Sequence, residues 1–504
     1  MQIYPLGVIQ VFIGGLKMAS FNIKANRVFT PLRQWAWIFT IVVAIGGLWY
    51  PKLGLLVIPI ILSLTITAFF RGRLWCGNFC PHGSLYDSVM LKFTRNTKIP
   101  SFLKSKFLAI VFFSWFGFNL TRKFIKVSAL FGTANFWDKL GFIFVASYLM
   151  VLIVGVPLAI FVAPRTWCNF CPMGMLQTLS YKLGKLLGVA KKTDKKITIS
   201  STDMCHSCGK CSRVCPMQLT PYLEFSDKNQ FDNEKCIRCS TCVVNCPAGI
   251  LSLEDEKTSL NIKNTTDITG FENKQKIKSK IITIKKLKDD VTEYTFKFIQ
   301  PEKVNYKAGQ FILVNIQGEP HMNRAYSISS YNKDNTSLSV TIKDVKDGYG
   351  TELISRKFKL GDIVELEGPM GQELVVDKST KNILLVGGGI GITPFLPIVT
   401  DIIKTSNSIE SVKLVYGANY EKEFLYDAEL SELDKNNEKF EFIKVAAFDK
   451  NFSGKQGFVT DVIKDLNLKD YKIYMCGPKP MVDAAKKLLK EKNVDEKNIF
   501  IETA

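Results

Sequence analysis

The chain has 504 residues, against about 100–150 for an ordinary domain, so a single compact core is excluded and several modules are expected. With 47% hydrophobic and 22% charged residues, wholesale disorder is excluded as well. The net charge of +20 sits wholly within residues 1–200, where 23 Lys and Arg meet only Asp87, Asp138 and Asp194, and the remainder balances 43 bases against 43 acids; a positive excess on the most apolar segment indicates membrane lipid rather than nucleic acid as the partner.

Met1 to Leu16 is apolar, but it lacks a basic leading segment and a small-residue cleavage site, so it does not read as a removed signal; with Pro5, Gly14 and Gly15 it reads as an interfacial or re-entrant segment, a fifth span being the alternative. The uncharged runs Gln34 to Tyr50, Leu53 to Phe70 and Leu140 to Pro164 have 17, 18 and 25 residues, close to the roughly 20 that cross about 30 Å of hydrocarbon. Phe107 to Thr121 has only 15, which predicts either a tilted span or a broken helix continuing into Phe124 to Trp137. With four spans, the presumed inner flanks carry 18 basic residues and the outer ones 5, placing both chain ends in the cytoplasm. Ionisable residues inside the spans are nearly absent, which argues against proton pumping.

The two stretches RLWCGNFCPHGSL (73–85) and RTWCNFCPMGML (165–176) are copies of one motif, differing by one deletion. Two spans separate them, so both lie at the same membrane face, where Cys76, Cys80, Cys168 and Cys171 could meet. Four thiolates suit an iron–sulfur cluster; the alternative is reduced cysteines at helix ends that Pro and Gly terminate. Gly83 and Gly174 would let backbone approach the site.

Cys205, Cys208, Cys211 and Cys215-Pro216 follow C-x-x-C-x-x-C-x-x-x-C-P, and Cys236, Cys239, Cys242 and Cys246-Pro247 repeat it. In such a pair the fourth cysteine reaches the other cluster, so Cys205, Cys208, Cys211 and Cys246 should hold one [4Fe–4S] cluster and Cys236, Cys239, Cys242 and Cys215 the second. A structural zinc site would place a longer gap between its cysteine pairs. His206 reads as a solvated loop residue. Lys191 to Lys196 and Asn261 to Lys280, rich in lysine and polar residues, read as linkers, the first lying along anionic headgroups.

From Ile281 the runs Ile281 to Ile284, Phe311 to Val314, Leu338 to Ile342 and Ile363 to Leu366 alternate with turns, predicting a small β-barrel. The apolar run Ile383 to Val386 then enters Gly387, Gly388, Gly389, Ile390, Gly391, Ile392, Thr393 and Pro394, a turn that lets backbone amides approach a pyrophosphate. Further strands at Ser411 to Tyr416, Phe442 to Ala446 and Lys472 to Met475 make an open α/β sheet.

On these residues two resemblances rest. Residues 276–504 resemble the ferredoxin-NADP reductase superfamily through Arg324-Ala325-Tyr326-Ser327, through Gly387 to Pro394 and through Cys476-Gly477-Pro478, with Gly350-Thr351 as a second phosphate turn. The resemblance implies that Arg324 contacts flavin phosphate, that Tyr326 packs on the isoalloxazine and that Ser327 approaches its N5, with Tyr326, Ser327 and Cys476 as the catalytic set. The alternative for Tyr326 and Cys476 is a role as core residues, which suits Cys476 better because free Cys is commonly buried. Where NADP users of this superfamily often carry Ser-Arg, the chain has Ala447-Phe448-Asp449, so NADH is expected over NADPH. Residues 30–250 resemble the membrane polyferredoxins of nitrate and nitrous oxide reductase systems, with C-x-x-C-P in place of C-x-x-x-C-P in the second copy.

The expected organisation is therefore an α-helical membrane domain (1–197), a two-cluster ferredoxin domain (198–260), an FAD-binding β-barrel (276–376) and an NAD(P)-binding α/β domain (377–504). A nicotinamide gives electrons in pairs and clusters take them singly, so FAD must stand between them. The expected function is a conduit in a prokaryotic cell membrane, from cytoplasmic NAD(P)H through FAD and the clusters to a membrane or extracytoplasmic partner such as a flavoprotein or quinone. Reverse flow onto NAD(P), and a redox sensor or metal-centre assembly factor, are the alternatives.

Overall fold

The computed structural model describes residues 20–503; Met1 to Leu16 lies outside them. Among the described residues four helices are long and apolar enough to cross a membrane: Pro31–Leu48, Pro51–Arg71, Lys106–Ser128 and Phe136–Phe161. The third corrects the expectation of a short or broken span, because Lys106–Ser128 is one continuous helix of 23 residues. Ser105 caps its start by accepting from the Leu108 amide. At its far end the charged heads of Arg122, Lys123 and Lys126 are carried outward on long stems, and Arg122 lies over the Phe118 ring. Phe107, Ile110, Trp115 and Phe118 on this helix are exposed.

Both expected linkers are corrected to structure. Lys191 to Lys196 folds into the Val189–Thr193 helix and the first residue of β1 (Lys196–Ile199), which pairs antiparallel with β2 (Leu251–Glu254). Asp194 anchors this stretch: its carboxylate receives Arg238 at 2.7 Å and the Tyr181 hydroxyl. Asn261 to Lys280 is likewise mostly ordered, as the end of the Glu256–Thr265 helix, which Asp255 caps, and the start of β3 (Gln275–Lys288). Composition concealed a strand period there: Ile277, Ser279 and Ile281 are buried while Lys276, Lys278 and Lys280 point outward.

β3 continues with β4 (Val291–Gln300), β5 (Phe311–Gln317), β6 (Met322–Ser327), β7 (Ser337–Lys343) and β8 (Ile363–Met370) in an antiparallel sheet of order β6-β5-β8-β3-β4-β7. An Ile328–Val340 bridge joins its two edges, so the sheet curls into a barrel around Phe296, Ile312, Val314 and Leu366. The last sheet is parallel, built from β9 (Asn382–Gly388), β10 (Ser411–Ala418), β11 (Phe440–Ala446), β12 (Lys455–Gln456), β13 (Tyr471–Gly477) and β14 (Ile499–Thr503) in the order β12-β11-β10-β9-β13-β14. The direction of winding reverses between β9 and β13, and the crevice at the carboxyl ends of such strands is where doubly wound sheets bind ligands.

Candidate electron-transfer sites

The glycine-rich loop and the Cys476 turn meet at that reversal. β9 runs into a tight turn at Gly389–Ile392, and the Phe395–Thr405 helix follows. The loop lies so close to β13 that a Cβ on Gly391 would stand 2.4 Å from the Cys476 carbonyl oxygen. Thr393 and Pro394 complete the turn, with Thr393 buried, and Gly477 and Pro478 lead into the Lys479–Glu491 helix. Arg324, Tyr326 and Ser327 occupy β6, where Tyr326 pairs with Ile312 and Ser327 with Phe311. Gly350 and Thr351 open the Tyr349–Lys357 helix, and a Cβ on Gly350 would touch Arg324 Nε at 2.7 Å. The flavin-motif arginine and the second phosphate turn are thus adjacent.

Glu502, which sequence reading passed over, links the two domains. β13–β14 pairing sets Glu502 beside Cys476, and Ser327 Oγ donates to Glu502 Oε2 at 3.3 Å. Burial pushes the Glu502 carboxyl up to about 7, against a smaller opposing effect of the Ser327 hydrogen bond. Burial also raises the Cys476 thiol, with the Glu502 charge adding to it. The site therefore offers a hydroxyl, a carboxyl able to hold a proton near neutral pH, and an un-ionised thiol. Only the apolar run Phe500-Ile501 hinted at a final strand that would carry Glu502 inward.

The ferredoxin cysteines sort as their spacing predicts. One cavity is lined by Cys205, Cys208, Cys211 and Cys246, another by Cys236, Cys239, Cys242 and Cys215. Backbone amides point at the sulfurs: Ser207 at Cys205, Tyr222 at Cys211, Met217 and Leu219 at Cys215, and Arg238 at Cys236. Burial and the neighbouring thiols push Cys215 up to about 12. Four thiolates stay ionised there only with positive charge in the cavity, which a cluster's iron supplies, so the donor set fits an iron–sulfur cube. His206 is a correction: its ring packs edge-on to Phe311 at 5.2 Å instead of facing solvent.

The helical region brings Cys76, Cys80, Cys168 and Cys171 around one cavity. The deletion in the second copy is absorbed locally, since Cys76 sits in a helical turn at Leu74–Asn78 and Cys168 in the tighter turn at Trp167–Asn169. Each second cysteine, Cys80 and Cys171, precedes a helix that starts with proline, and the sulfurs receive the Gly83 amide and the Met173 and Gly174 amides. The leading arginines cross between copies. Arg73 donates to the Cys168 carbonyl at 3.0 Å and lies 3.8 Å from Cys76 Sγ, whereas Arg165 donates to the Cys76 carbonyl at 3.1 Å and lies 3.6 Å from Cys168 Sγ. Gly83 and Gly174 make room for these arginines, not for backbone: a Cβ would come within 2.5 Å of Arg165 and 2.8 Å of Arg73, respectively. Arg33 and Arg165 also share Asp87, at 2.6 and 2.7 Å, with Arg27 at 3.7 Å. Burial alone would raise the Asp87 carboxyl, but Arg165 and Arg33 outweigh it and hold it well below the usual range. The recurrence of Arg three residues before the first cysteine was the visible signal for this network.

Comparison with known proteins separates the same regions. Residues 385–487 match an oxidoreductase NAD-binding domain, 278–373 an oxidoreductase FAD-binding domain, 190–262 a 4Fe-4S dicluster domain, and 53–100 and 145–190 a 4Fe-4S binding domain. The reductase component of propane 2-monooxygenase from Mycolicibacterium goodii is 27% identical over 240 residues, 45% of this chain and 68% of that protein. The phenol 2-monooxygenase reductase component DmpP from Pseudomonas sp. strain CF600 is 31% identical over 204 residues, and the match spans 39% of this chain and 57% of DmpP. Among solved structures, Amycolatopsis cytochrome P450 reductase GcoB is similar at 22% identity and a TM-score of 0.43, over 46% of this chain and 71% of its own. The chain is an oxidoreductase with FAD-binding, NAD-binding and 4Fe-4S domains, homologous to reductase components of monooxygenases.

Proposed function

We propose that the chain is a multi-pass protein of a prokaryotic cytoplasmic membrane that oxidises NADH on the cytoplasmic side and passes single electrons through two [4Fe–4S] clusters to a third iron–sulfur cluster at Cys76, Cys80, Cys168 and Cys171. From there electrons go to a membrane or extracytoplasmic acceptor. The order of contacts along the molecule carries this reading. On the flavin side, Arg324 Nη1 donates to the Cys208 carbonyl at 2.8 Å and the Asn323 amide to the Ser207 carbonyl at 3.1 Å. On the other side, Gly77, next to Cys76, approaches the second ferredoxin loop so closely that a Cβ would stand 2.0 Å from the Ile237 carbonyl and 3.2 Å from Cys239 Cβ. Arg33 Nη1 reaches the Cys239 carbonyl at 3.4 Å. The ferredoxin loops thus touch the flavin motif at one end and the helical cysteine cavity at the other.

Bound FAD would supply the conversion of electron pairs into single electrons. For the chain's own part, Arg324 and the Gly350-Thr351 turn would hold flavin phosphate, Tyr326 the ring and the Gly387–Pro394 loop the nucleotide. Ser327 and Glu502 can hold a proton beside the ring. Asp449, three residues past the end of β11, disfavours a 2′-phosphate, which supports NADH. The four apolar helices and the 18-to-5 distribution of basic residues support the membrane placement. The named reductase components support forward flow from nicotinamide.

Anaerobic titration of the detergent-purified chain with NADH, followed by flavin absorbance and low-temperature EPR, tests the reading. Successive reduction of flavin and three cluster signals, one of them missing in Cys76→Ala, is the expected result. Reduction of the flavin alone overturns it.

A further inference from the structure

The flavin motif is not closed by its own domain. Arg324 leans toward the ferredoxin module, with Nη1 bonded to the Cys208 carbonyl at 2.8 Å and Nε over Gly350 at the start of the Tyr349–Lys357 helix. Two more cations stand at the same seam. Lys210 follows Cys208 by two residues; its carbonyl accepts from the Val214 amide, and its ammonium makes no hydrogen bond among the described residues. Arg213 lays its guanidinium over the Tyr349 ring at 4.6 Å, one residue from Gly350. Its Nε donates to the Phe21 carbonyl at 2.9 Å and its Nη2 reaches the Ser20 carbonyl at 3.4 Å, leaving Nη1 without a partner among the described residues. Lys210, Arg213 and Arg324 repel one another; the Cys208 sulfur opposes this in part at Lys210 and Arg213, and among the described residues no carboxylate is ion-paired with any of the three. Like charges gathered at a seam, beside the amide-bearing start of a nine-residue helix, call for a multiply charged anion.

We propose that the flavin diphosphate site is composite, with Lys210 and Arg213 of the ferredoxin module completing the phosphate contacts that Arg324, Gly350 and Thr351 begin. This rests on the flavin reading of Arg324 and its neighbours. Bound FAD is then a clamp between the modules, holding the Cys205–Cys208–Cys211–Cys246 cavity against the flavin barrel. The choice of a diphosphate over a neutral flavin lies partly in residues outside the flavin domain.

The test is flavin binding by fluorescence quenching on the full detergent-solubilised chain after its flavin is stripped, with riboflavin and FAD as probes and iron content as the check on the ferredoxin module. Lys210→Gln and Arg213→Gln are each expected to weaken FAD about tenfold and leave riboflavin unchanged, since a charge-assisted contact is lost only for the probe with phosphates. Arg213→Lys should recover most of the loss. Equal weakening of riboflavin and FAD, or unchanged FAD binding in a variant set where Arg324→Gln weakens it, overturns the proposal. Unchanged FAD binding in Arg324→Gln overturns the flavin reading and the proposal with it. If Arg213→Gln loses iron, Lys210→Gln decides alone, because that ammonium has no hydrogen bond among the described residues to forfeit.

Discussion

The two internal repeats solve the same chemical problem with different materials. In the ferredoxin repeat the copies have identical spacing, and the sulfurs receive backbone amides from the loops that wrap them. In the helical repeat the copies differ by one residue, and guanidinium groups cross from each copy to the other. Loops expose their amides along the way, so they can surround a cluster unaided. Helices spend most of theirs internally, leaving only the first turn free, at Gly83 in one copy and at Met173 and Gly174 in the other. Buried arginines supply what the helices withhold, and they are neutralised only in part: Arg27, Arg33 and Arg165 share the one carboxylate Asp87, while Arg73 has no carboxylate ion-paired with it among the described residues.

The sharpest break between the repeats is functional. Cys168→Ala should abolish NADH-driven reduction of a membrane acceptor while leaving NADH-to-dye turnover at the flavin intact, because every upstream contact remains in place. Retained membrane reduction in that variant would remove the helical cysteines from the route.

Next in size is Arg165→Gln. It takes two bonds from Asp87, at 3.2 and 2.7 Å, and one from the Cys76 carbonyl, and breaking a buried charge network of this kind costs about 3–5 kcal/mol. Thermal unfolding should show that loss, and the EPR midpoint of the cluster proposed at Cys76, Cys80, Cys168 and Cys171 should fall with the lost positive charge. A potential that does not move would make Arg165 a structural group only.

Smaller effects follow from the glycines that admit the arginines. Gly83→Ala and Gly174→Ala should each destabilise by about 1–3 kcal/mol through overpacking. Gly83 should cost more, since its Cβ would meet three guanidinium atoms of Arg165 within 2.9 Å, against one atom of Arg73 at 2.8 Å for Gly174. Equal melting temperatures for the two variants would deny the asymmetry between copies.

Much of this was legible from spacing. The partition of the ferredoxin cysteines followed from the repeated motif, and the meeting of the two helical copies from their separation by two spans. What stayed hidden depended on partners distant in sequence. Lys-Ile-Lys-Ser-Lys-Ile at 276–281 looked like a polar linker until β8 gave its alternate residues a core to face. The Lys106–Ser128 helix looked too short because charge was taken as the end of a span, although long basic side chains are tolerated near a helix end. Gly83 and Gly174 were read as letting backbone approach the site, whereas the group that fills the space at each is the guanidinium carried by the other copy of the motif, Arg165 and Arg73 respectively. Glu502 carried no motif, and only pairing with β13 brings it to Cys476 and Ser327.

Glu502 yields the mildest effect and the one most specific to the back half of the molecule, where no repeat exists. Its carboxyl is raised by burial from 4.5 to about 7. A folded-state value above the unfolded one means that the folded chain binds the proton more tightly, so the stabilisation is complete below about pH 4.5 and is lost as pH rises through about 7. Glu502→Gln removes the titration while keeping the shape and a hydrogen-bonding partner for Ser327, and should flatten the fall in melting temperature across that window. Unlike the cluster-side variants, it should leave the iron content unchanged and slow NADH oxidation at the flavin most where the wild-type carboxyl still carries its proton. A pH profile of melting that is the same in wild type and Glu502→Gln would place the proton elsewhere at the Ser327–Cys476 site.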